Sequence, residues 1–206
     1  MRSVCALLLA AGESKRMGRL KPLLPWQGTS LLKYQVSMLL QSDLDPVSVV
    51  LGHQSQKLLR QLPNTPKLKV LYNPEYRKGK TTSLKLGFKN ILNSAVDAIL
   101  ILNVDQPRTI GTINTILNAY NKYSPLITIP TYQNKSGHPI ILSCSLLYEL
   151  MHITEETLGL RDVINKYSNC VHRVPMETDE IIHDLNSEQD YQRALQIFGG
   201  EYPFIK

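Results

Sequence analysis

Small residues and closely spaced cations follow the first apolar run of the chain. Ala10, Ala11 and Gly12 leave little side chain in the way of a ligand, and Gly12 can adopt a positive φ. Successive backbone amides in such a bend can bind an anion. Four cations then follow within seven positions, at Lys15, Arg16, Arg19 and Lys21. This combination could neutralise much of a triphosphate, although a surface turn with solubilising charges uses the same residue types.

A carboxylate stands just past another apolar run, at Asp105, and Pro107 ends that segment. If the run is a parallel strand, the carboxylate lies at the edge of the sheet where α/β proteins bind their ligands. Mg²⁺ prefers a few carboxylate oxygens together with water and substrate phosphates, which one or two such acids could provide. The alternative is a turn or a helix cap, which is the commoner role of a lone Asp.

Residues 79–81 imitate the end of a phosphate-binding P-loop, because Gly79 is followed by Lys80 and Thr81. The full pattern needs a glycine five residues before Gly79, and that position is Pro74. The sequence therefore argues against a P-loop NTPase.

Short apolar runs alternate with helical patterns along the chain. The runs have the length and content of buried strands and occupy residues 4–9, 47–51, 68–72, 98–102 and 126–129. Apolar residues recur with helical spacing at 30–40, 82–92, 110–120 and 188–198, and Ser30 is the predicted N-cap of the first of these helices. Two later segments, 137–142 and 170–175, are expected to add strands at the edge of the sheet.

This alternation predicts an α/β, doubly wound fold with a mainly parallel sheet and helices on both faces. Ligands of such sheets bind at the carboxyl ends of the strands, so the loops that follow the strands should carry the function. A length of 206 residues suits one domain over 1–206 with a substantial core.

The composition narrows the classes of partner. Lys and Arg number 23 against 17 Asp and Glu, and the resulting charge of +6 is spread along the chain, which suits a small polyanion and gives no reason to expect nucleic acid. No segment reaches membrane-spanning length, so a cytoplasmic protein without a membrane partner is expected. Cys5, Cys144 and Cys170 lack disulfide or metal spacing and are expected to be buried apolar residues.

The residue order of the first loop resembles the signature of the MobA-like NTP transferases, which include the molybdenum-cofactor cytidylyl- and guanylyltransferases. The fixed positions of that signature are all present: Ala10, Ala11, Gly12, Ser14, Arg16, Met17, Gly18 and Lys21. The resemblance implies a Rossmann-like nucleotidyltransferase fold in which these residues bind the nucleotide and the backbone over 11–18 wraps its triphosphate. It further implies that Arg16 contacts the outer phosphates and that Lys21 acts at the α-phosphate, as the leading catalytic residue.

The segment around the rejected P-loop resembles a second motif of the same family. Residues 79–87 match its Gly-x-x-x-Ser-Leu-x-x-Gly element, which begins a helix beneath the nucleotide. By this resemblance Gly79 and Ser83 contact the base or the ribose. One of the hydroxyl residues at 81–83 could also cap the helix, and the two interpretations are compatible.

The metal ligands follow from two more motifs. Asp105 begins the family's metal-binding Asp-x-Pro, and Gln106 at its centre resembles the cytidylyltransferase branch. Asp184 and Asn186 align with two acids of a motif near the C-terminus, so Mg²⁺ is expected on Asp105 with help from Asp184 or Asn186. The second position departs from the family pattern, since Asn replaces the usual Asp. A helix cap at Asn186 or Ser187 is an alternative.

Two residues are expected to bind the acceptor substrate, His138 and Arg161. His138 stands in a Gly-His-Pro that resembles the family's turn near the acceptor, where it could bind substrate or organise backbone. Arg161 stands in an element that resembles the acceptor-binding part of the relatives and could clamp a phosphate bidentately, or it could be a surface cation.

These observations predict a Mg²⁺-dependent nucleotidyltransferase that transfers CMP from CTP to a phosphate-bearing acceptor such as molybdopterin. CTP is favoured because residues 9–12 of this chain are Leu-Ala-Ala-Gly, whereas relatives that use GTP usually carry Leu-Ala-Gly-Gly there. One alternative is a cytidylyl- or uridylyltransferase acting on a sugar or polyol phosphate. Another is a non-catalytic protein that binds nucleotide or cofactor and delivers it to a molybdoenzyme or its chaperone.

Overall fold

A single sheet of eight strands runs through the computed structural model, which describes residues 2–92 and 94–198. Its order is β10-β7-β9-β6-β1-β4-β5, with β8 paired to β7, and β2 and β3 form a separate hairpin. The strands are β1 (Val4–Ala10), β2 (Pro25–Trp26), β3 (Thr29–Ser30), β4 (Val47–Leu51), β5 (Leu68–Tyr72), β6 (Ala98–Asn103), β7 (Ile127–Tyr132), β8 (Lys135–Ser136), β9 (Ile140–Ser143) and β10 (Val171–Pro175). The predicted single domain over 1–206 includes residues 1, 93 and 199–206, which lie outside the described part.

Strand β1 lies at the centre of the sheet because all seven of its residues are apolar and buried. It pairs in parallel with β4 on one side and with β6 on the other. A strand covered on both faces needs apolar residues at every position, as in most parallel sheets. Its alternate residues enter two separate cores, Ala6 and Leu8 on one face and Cys5 and Leu7 on the other.

Helices cover both faces of the sheet, as the sequence predicts. Their bounds are α1 (Leu31–Leu40), α2 (Ser55–Leu59), α3 (Lys80–Ile91), α4 (Ile110–Tyr123), α5 (Leu147–His152), α6 (Leu160–Lys166) and α7 (Glu188–Phe198). Buried residues of α1, α2, α4 and α7 belong to the core with Ala6, and those of α3, α5 and α6 to the core with Leu7. The α/β, doubly wound and mainly parallel architecture is therefore confirmed.

Side-chain caps explain where several helices begin. Ser30 accepts a hydrogen bond from the Lys33 amide, which confirms it as the N-cap of α1. Ser187 caps α7 through a reciprocal pair with Asp190, in which each side chain accepts from the other's backbone amide. Helix α3 differs from the prediction: it begins at Lys80, two residues early, and Gly79 is its N-cap without a side-chain bond.

Two strand predictions were wrong in position or burial. The strand predicted at the sheet edge from 137–142 is β9, and it lies between β6 and β7, antiparallel to both. Its buried residues Ile140 to Leu142 are covered on both faces, which an edge position would not require. The predicted buried strand 68–72 is instead the edge strand β5, where Val70 and Tyr72 are exposed because only β4 pairs with it. Strand β10 does lie at the opposite edge.

The cysteines are all free, but only Cys5 is fully buried. Cys144 is half-buried and Cys170 is exposed, so the expectation of three buried thiols was wrong for these two. Cys170 is the last residue of a short 3₁₀ turn, Ser168–Cys170, and lies just before β10. Within residues 2–92 and 94–198, no helix has the length and apolarity needed to cross a membrane.

Candidate functional site

The loop after β1 folds into two short 3₁₀ turns, Lys15–Met17 and Lys21–Leu23. Its positive φ angles fall on Ser14 (56°) and Gly18 (61°), rather than on Gly12 as the sequence suggests. Gly18 ends the first turn with a left-handed residue, a conformation that costs glycine little. The loop therefore turns back across the end of the sheet before the chain enters the β2–β3 hairpin.

Lys21 is held in place at both its backbone and its side chain. The hydroxyl of Ser14 accepts a hydrogen bond from the Lys21 amide at 3.0 Å. The Lys21 ammonium, with only 9% of the side chain exposed, donates to Asp105 Oδ2 at 2.8 Å and to Asn186 Oδ1 at 3.3 Å. The first loop, the loop after β6 and the C-terminal segment thus meet at one cation.

Asp105 lies two residues beyond the end of β6, at the carboxyl edge of the sheet. The Val104 amide donates to the Leu9 carbonyl, which keeps this loop against the end of β1. The Leu185 amide donates to the Asp105 carbonyl at 2.8 Å, which brings the C-terminal segment alongside. The candidate residues of the loops after β1 and β6 therefore lie together at the carboxyl edge of the sheet.

The remaining loop cations point in different directions. Arg16 donates to Asn186 Oδ1 at 3.0 Å, so Asn186 receives both Arg16 and Lys21. Lys15 pairs with Glu13 at 2.9 Å. Arg19 does not join them: its guanidinium pairs with Glu188 of α7 at 2.7 Å, and it does not line the adjacent cavity. The expectation that all four cations face one triphosphate is corrected for Arg19.

A cavity of about 330 Å³ opens beside this loop. Its walls include eight of the predicted site residues, Ala11, Gly12, Ser14, Arg16, Lys21, Gly79, Ser83 and Asp105. Ala10 does not line it, since its side chain is buried in the core, and Gly18 lies outside the lining as well. The structure therefore brings the first and second motifs together around one hollow.

A second cavity of about 700 Å³ adjoins the first. The predicted residues in its walls are His138, Arg161, Asp184, Asn186 and Asp105. Lys80, Asn103 and Asp105 line both cavities and so form their common boundary. The nucleotide-side and acceptor-side predictions therefore fall in two neighbouring spaces that meet at Asp105.

Residues 6–171 match the MobA-like NTP transferase domain. The chain belongs to this family. It is 25% identical over 199 residues to molybdenum cofactor cytidylyltransferase of Escherichia coli (strain K12), with 95% of this chain and 97% of that protein covered. It is also 24% identical over 201 residues to nicotine blue oxidoreductase of Paenarthrobacter nicotinovorans, with 93% and 96% covered.

Solved structures show the same fold for this MobA-like transferase. Rv0371c from Mycobacterium tuberculosis H37Rv superposes with a TM-score of 0.80 at 21% identity, over 95% of this chain and 98% of that one. A complex of Rv0371c with manganese superposes with a TM-score of 0.76 at 20% identity, over the same shares of the two chains. The predicted Rossmann-like nucleotidyltransferase fold is confirmed.

A network of hydrogen bonds orients His138 and Asp184 in the wall of the larger cavity. Asn103 donates its side-chain amide to Gln106 Oε1 at 2.7 Å, which fixes the direction of the Gln106 amide. Gln106 Nε2 then donates to Asp184 Oδ1 at 2.9 Å and lies 3.2 Å from His138 Nδ1. Because Nδ1 accepts this bond, the proton of a neutral His138 resides on Nε2, where it can be donated to a ligand.

Burial shifts the pKa of the two titratable groups in this hydrogen-bond network, His138 and Asp184. Desolvation, with Lys80 and then Arg108 adding positive charge, lowers the pKa of His138 to about 3, so the imidazole is neutral at physiological pH. Desolvation also raises the pKa of Asp184 above its ordinary value, against the bond from Gln106, and Asp105 adds to the rise. A cation placed between Asp105 and Asp184 would relieve that cost.

Arg108 is buried and supports the segments that carry His138 and Asp184, although no sequence motif points to it. Its side chain is fully buried, and it donates to the carbonyls of His138, Ile181 and His183 at 2.9 to 3.0 Å. Desolvation lowers its pKa to about 10, which still leaves it charged. Arg108 thus joins the turn that carries His138 to the segment that leads into Asp184.

Sequence reasoning also passed over Lys80, the first residue of α3, and Glu155, which contacts the start of that helix. Lys80 was set aside with the false P-loop, yet it lines both cavities. Glu155, from the loop before α6, accepts a hydrogen bond from the Thr81 amide at 2.6 Å. Asn73 donates to the hydroxyls of Thr82 and Ser83, so these hydroxyls fasten the loop after β5 to α3 instead of capping it.

Proposed function

We propose that this MobA-like transferase transfers CMP from CTP to a phosphate-bearing acceptor, with molybdopterin as the leading candidate. The observation that carries the proposal is the Lys21–Asp105 contact of 2.8 Å at the boundary between two cavities. A group transfer needs two substrates that meet at one point, and Asp105 stands where the two spaces join. The molybdopterin acceptor is supported by the 25% identity with the Escherichia coli cytidylyltransferase.

The smaller cavity is assigned to the nucleotide. Its walls offer the backbone of Ala11 and Gly12, and the cations of Arg16 and Lys21 for the phosphates. Gly79 and Ser83 lie across the same hollow and are assigned to the base or the ribose. Because Arg16 and Lys21 are already held by Asn186, little side-chain entropy remains to be lost when the triphosphate binds.

Asp105 and Asp184 fit a divalent metal ion such as Mg²⁺. The negative charge of Asp105 adds to the rise in the pKa of Asp184. The described residues contain no group of three His, Cys, Asp or Glu able to hold a metal by themselves. That sparse set suits Mg²⁺, which keeps waters and takes substrate phosphates as further ligands. We assign the second position to Asp184, since Asn186 Oδ1 already accepts from Arg16 and Lys21. When bound, the ion would neutralise phosphate charge.

The transfer itself needs no covalent enzyme intermediate. An oxygen of the acceptor phosphate attacks the α-phosphorus of CTP, the new P–O bond forms, and the bond to the β-phosphate oxygen breaks to release pyrophosphate. Lys21 stabilises the negative charge that grows on the phosphoryl oxygens. His138 donates from Nε2 to the acceptor, and Arg161 holds an acceptor phosphate in the larger cavity.

Pyrophosphate release with a panel of nucleotides and acceptors tests the proposal. We expect release from CTP with Mg²⁺ and molybdopterin, little release from GTP, and release slowed by at least about 100-fold after Lys21→Ala or Asp105→Ala. Turnover with a sugar or polyol phosphate in place of molybdopterin would assign a different acceptor. Tight binding of nucleotide or cofactor without any pyrophosphate release would overturn the enzymatic function and favour a carrier that delivers cofactor to a molybdoenzyme.

A further inference from the structure

Lys80 occupies an unusual position in the site. It is the first residue of α3, and it forms part of the wall of both cavities. Among the described residues, only Asn103 and Asp105 share that property. Lys80 is therefore the single cation of the described chain that faces the nucleotide space and the acceptor space together.

The ammonium of Lys80 differs from that of Lys21 in its partners. Lys21 is buried and bonded to two side chains. Within residues 2–92 and 94–198, Lys80 makes no ion pair within 4.0 Å and no side-chain hydrogen bond, and the same holds for the Arg161 guanidinium on the larger cavity. Both residues are exposed to solvent, so a ligand in the cavity can reach them.

Three carboxylates surround Lys80, but each is engaged elsewhere. Asp105 pairs with Lys21, and Asp184 accepts from Gln106. Glu155 accepts from the Thr81 amide. Desolvation in the cleft lowers the pKa of Lys80, and these three acids raise it only in part. A partly desolvated cation without a committed partner favours an added anion.

The start of α3 already accommodates one negative group. Gly79 has φ of 121°, and a Cβ there would clash with the side chain of Glu155, including its Oε1 atom. The chain thus leaves room for a carboxylate against the first amides of the helix, where the helix dipole favours negative charge. Lys80 stands beside this position and faces the open cavity instead.

We propose that Lys80 is a specificity-determining residue that binds the phosphate of the acceptor, together with Arg161, in the larger cavity. Lys80 holds the phosphate at the side that faces the nucleotide, and Arg161 holds it at the far side. The pair selects acceptors with a terminal phosphate dianion over neutral alcohols. The inference rests on the proposed function, because it names the substrate class of that same site.

Steady-state kinetics test the role in the proposed reaction. Lys80→Met is expected to raise the KM of the phosphate-bearing acceptor by about 10- to 100-fold, the cost of one charge-assisted contact, and to change the KM of CTP much less. Lys80→Arg should restore most of the acceptor affinity. Lys89→Met, on the exposed face of the same helix, is the matched control and should behave as the unaltered protein. An unchanged acceptor KM in Lys80→Met would overturn the inference.

Labelling with pyridoxal 5′-phosphate tests the anion site without relying on catalysis. Its aldehyde condenses with an unprotonated lysine amine, with loss of water, and borohydride reduction fixes the product for peptide mapping. We expect Lys80 to be labelled well ahead of Lys21 and Lys89, and Arg161→Met to reduce that labelling about tenfold because the reagent's phosphate loses its partner. Excess inorganic phosphate should protect Lys80.

The two tests separate the possible failures. If the unaltered protein releases no pyrophosphate with any phosphorylated acceptor but Lys80 is labelled and phosphate protects it, the proposed function fails and the anion site stands. Labelling of Lys80 no faster than Lys89, or without protection by phosphate, would overturn the inference whether or not the protein is active.

Discussion

The two cavities differ in how their cations are held. On the nucleotide side every cation of the wall is bonded to a protein group, as in the pairs Lys15–Glu13, Arg16–Asn186 and Lys21–Asp105, except Lys80 at the boundary. On the acceptor side the wall cations, Lys80 and Arg161, have no ion pair among the described residues. The nucleotide side is therefore organised before its ligand arrives, whereas the acceptor side gains its counter-charge from the ligand.

This difference predicts separate roles for the cations of the two cavities, one in the rate of the reaction and one in the choice of ligand. Cations that are already fixed stabilise developing charge without reorganisation, which is how preorganised groups contribute to a rate. Cations that lack a partner contribute mainly to the choice of ligand, since a neutral molecule would leave them unpaired. Substitutions on the first side should therefore act on kcat, and those on the second side on the KM of the acceptor.

The largest expected effect comes from Lys21. Lys21→Ala removes a fixed cation from the place where the α-phosphate reacts, and we expect kcat to fall by about 100- to 1,000-fold. Arg19→Met is the matched control, because Arg19 belongs to the same loop but pairs with Glu188 outside the cavity. Equal losses in the two variants, measured by pyrophosphate release, would show that overall loop charge matters rather than the position of Lys21.

The next effect concerns the support of the acceptor side. Arg108→Met leaves the carbonyls of His138, Ile181 and His183 without their charged donor, and we expect the free energy of unfolding to fall by about 3 kcal/mol or more. Denaturant unfolding measures the change, with the exposed Arg60→Met as control. A loss no greater than that of Arg60→Met would show that Arg108 does not hold the two segments together.

A smaller effect tests the charge on Asp184. Its raised pKa means that the folded state binds the proton more tightly than the unfolded state does. Ionised Asp184 therefore destabilises the folded state at neutral pH, and this cost disappears as the pH falls towards about 4. With EDTA present, Asp184→Asn should therefore raise the melting temperature by about 2 °C at pH 7 and by less at pH 4.

Asp190 provides a control of opposite sign. Its bonds to Ser187 lower its pKa, so its stabilisation is present above the ordinary aspartate value and is lost as the pH falls through the lowered one. Asp190→Asn should lower the melting temperature at pH 7, with a smaller loss in acid. The same sign of change in both variants would contradict the assigned environments.

The smallest effect is expected at His138. Since burial lowers its pKa to about 3, the imidazole stays neutral and the pH profile of kcat should show no inflection near pH 6.5 from this residue. His138→Gln keeps a donor and should change kcat by less than about tenfold. An inflection near pH 6.5 that disappears in His138→Gln would contradict a neutral donor.

The two cavities also differ in how far the sequence predicts them. The nucleotide loop is one contiguous run, so residue order alone pointed to Lys21, and the apolar run before Asp105 located the carboxylate at a strand end. Lys80 escaped notice because its place between the two cavities depends on how distant segments fold around it, and Arg108 because its role depends on hydrogen bonds to distant segments. Arg108 donates to the carbonyls of His138 and Ile181, which are 30 and more residues away along the chain. Because every residue type has a backbone carbonyl, the sequence does not reveal these acceptors.

The fold shows the same limit. The alternating apolar runs predicted the layers of the fold and the strand ends as the location of the candidate site. They did not predict the order of the strands in the sheet. The buried residues of β9 have the composition of either an internal or an edge strand, and only its pairing with β6 and β7 places it inside the sheet. Conversely, the mixed exposure of β5 follows from its having one neighbour, which its own sequence does not specify.

A crystal structure with α,β-methylene-CTP and Mg²⁺ tests the central claim most directly. The account predicts the triphosphate in the smaller cavity, with its α-phosphate in contact with the Lys21 ammonium and facing the larger cavity past Asp105. A triphosphate bound beside Arg161, with its α-phosphate remote from Lys21, would contradict the account.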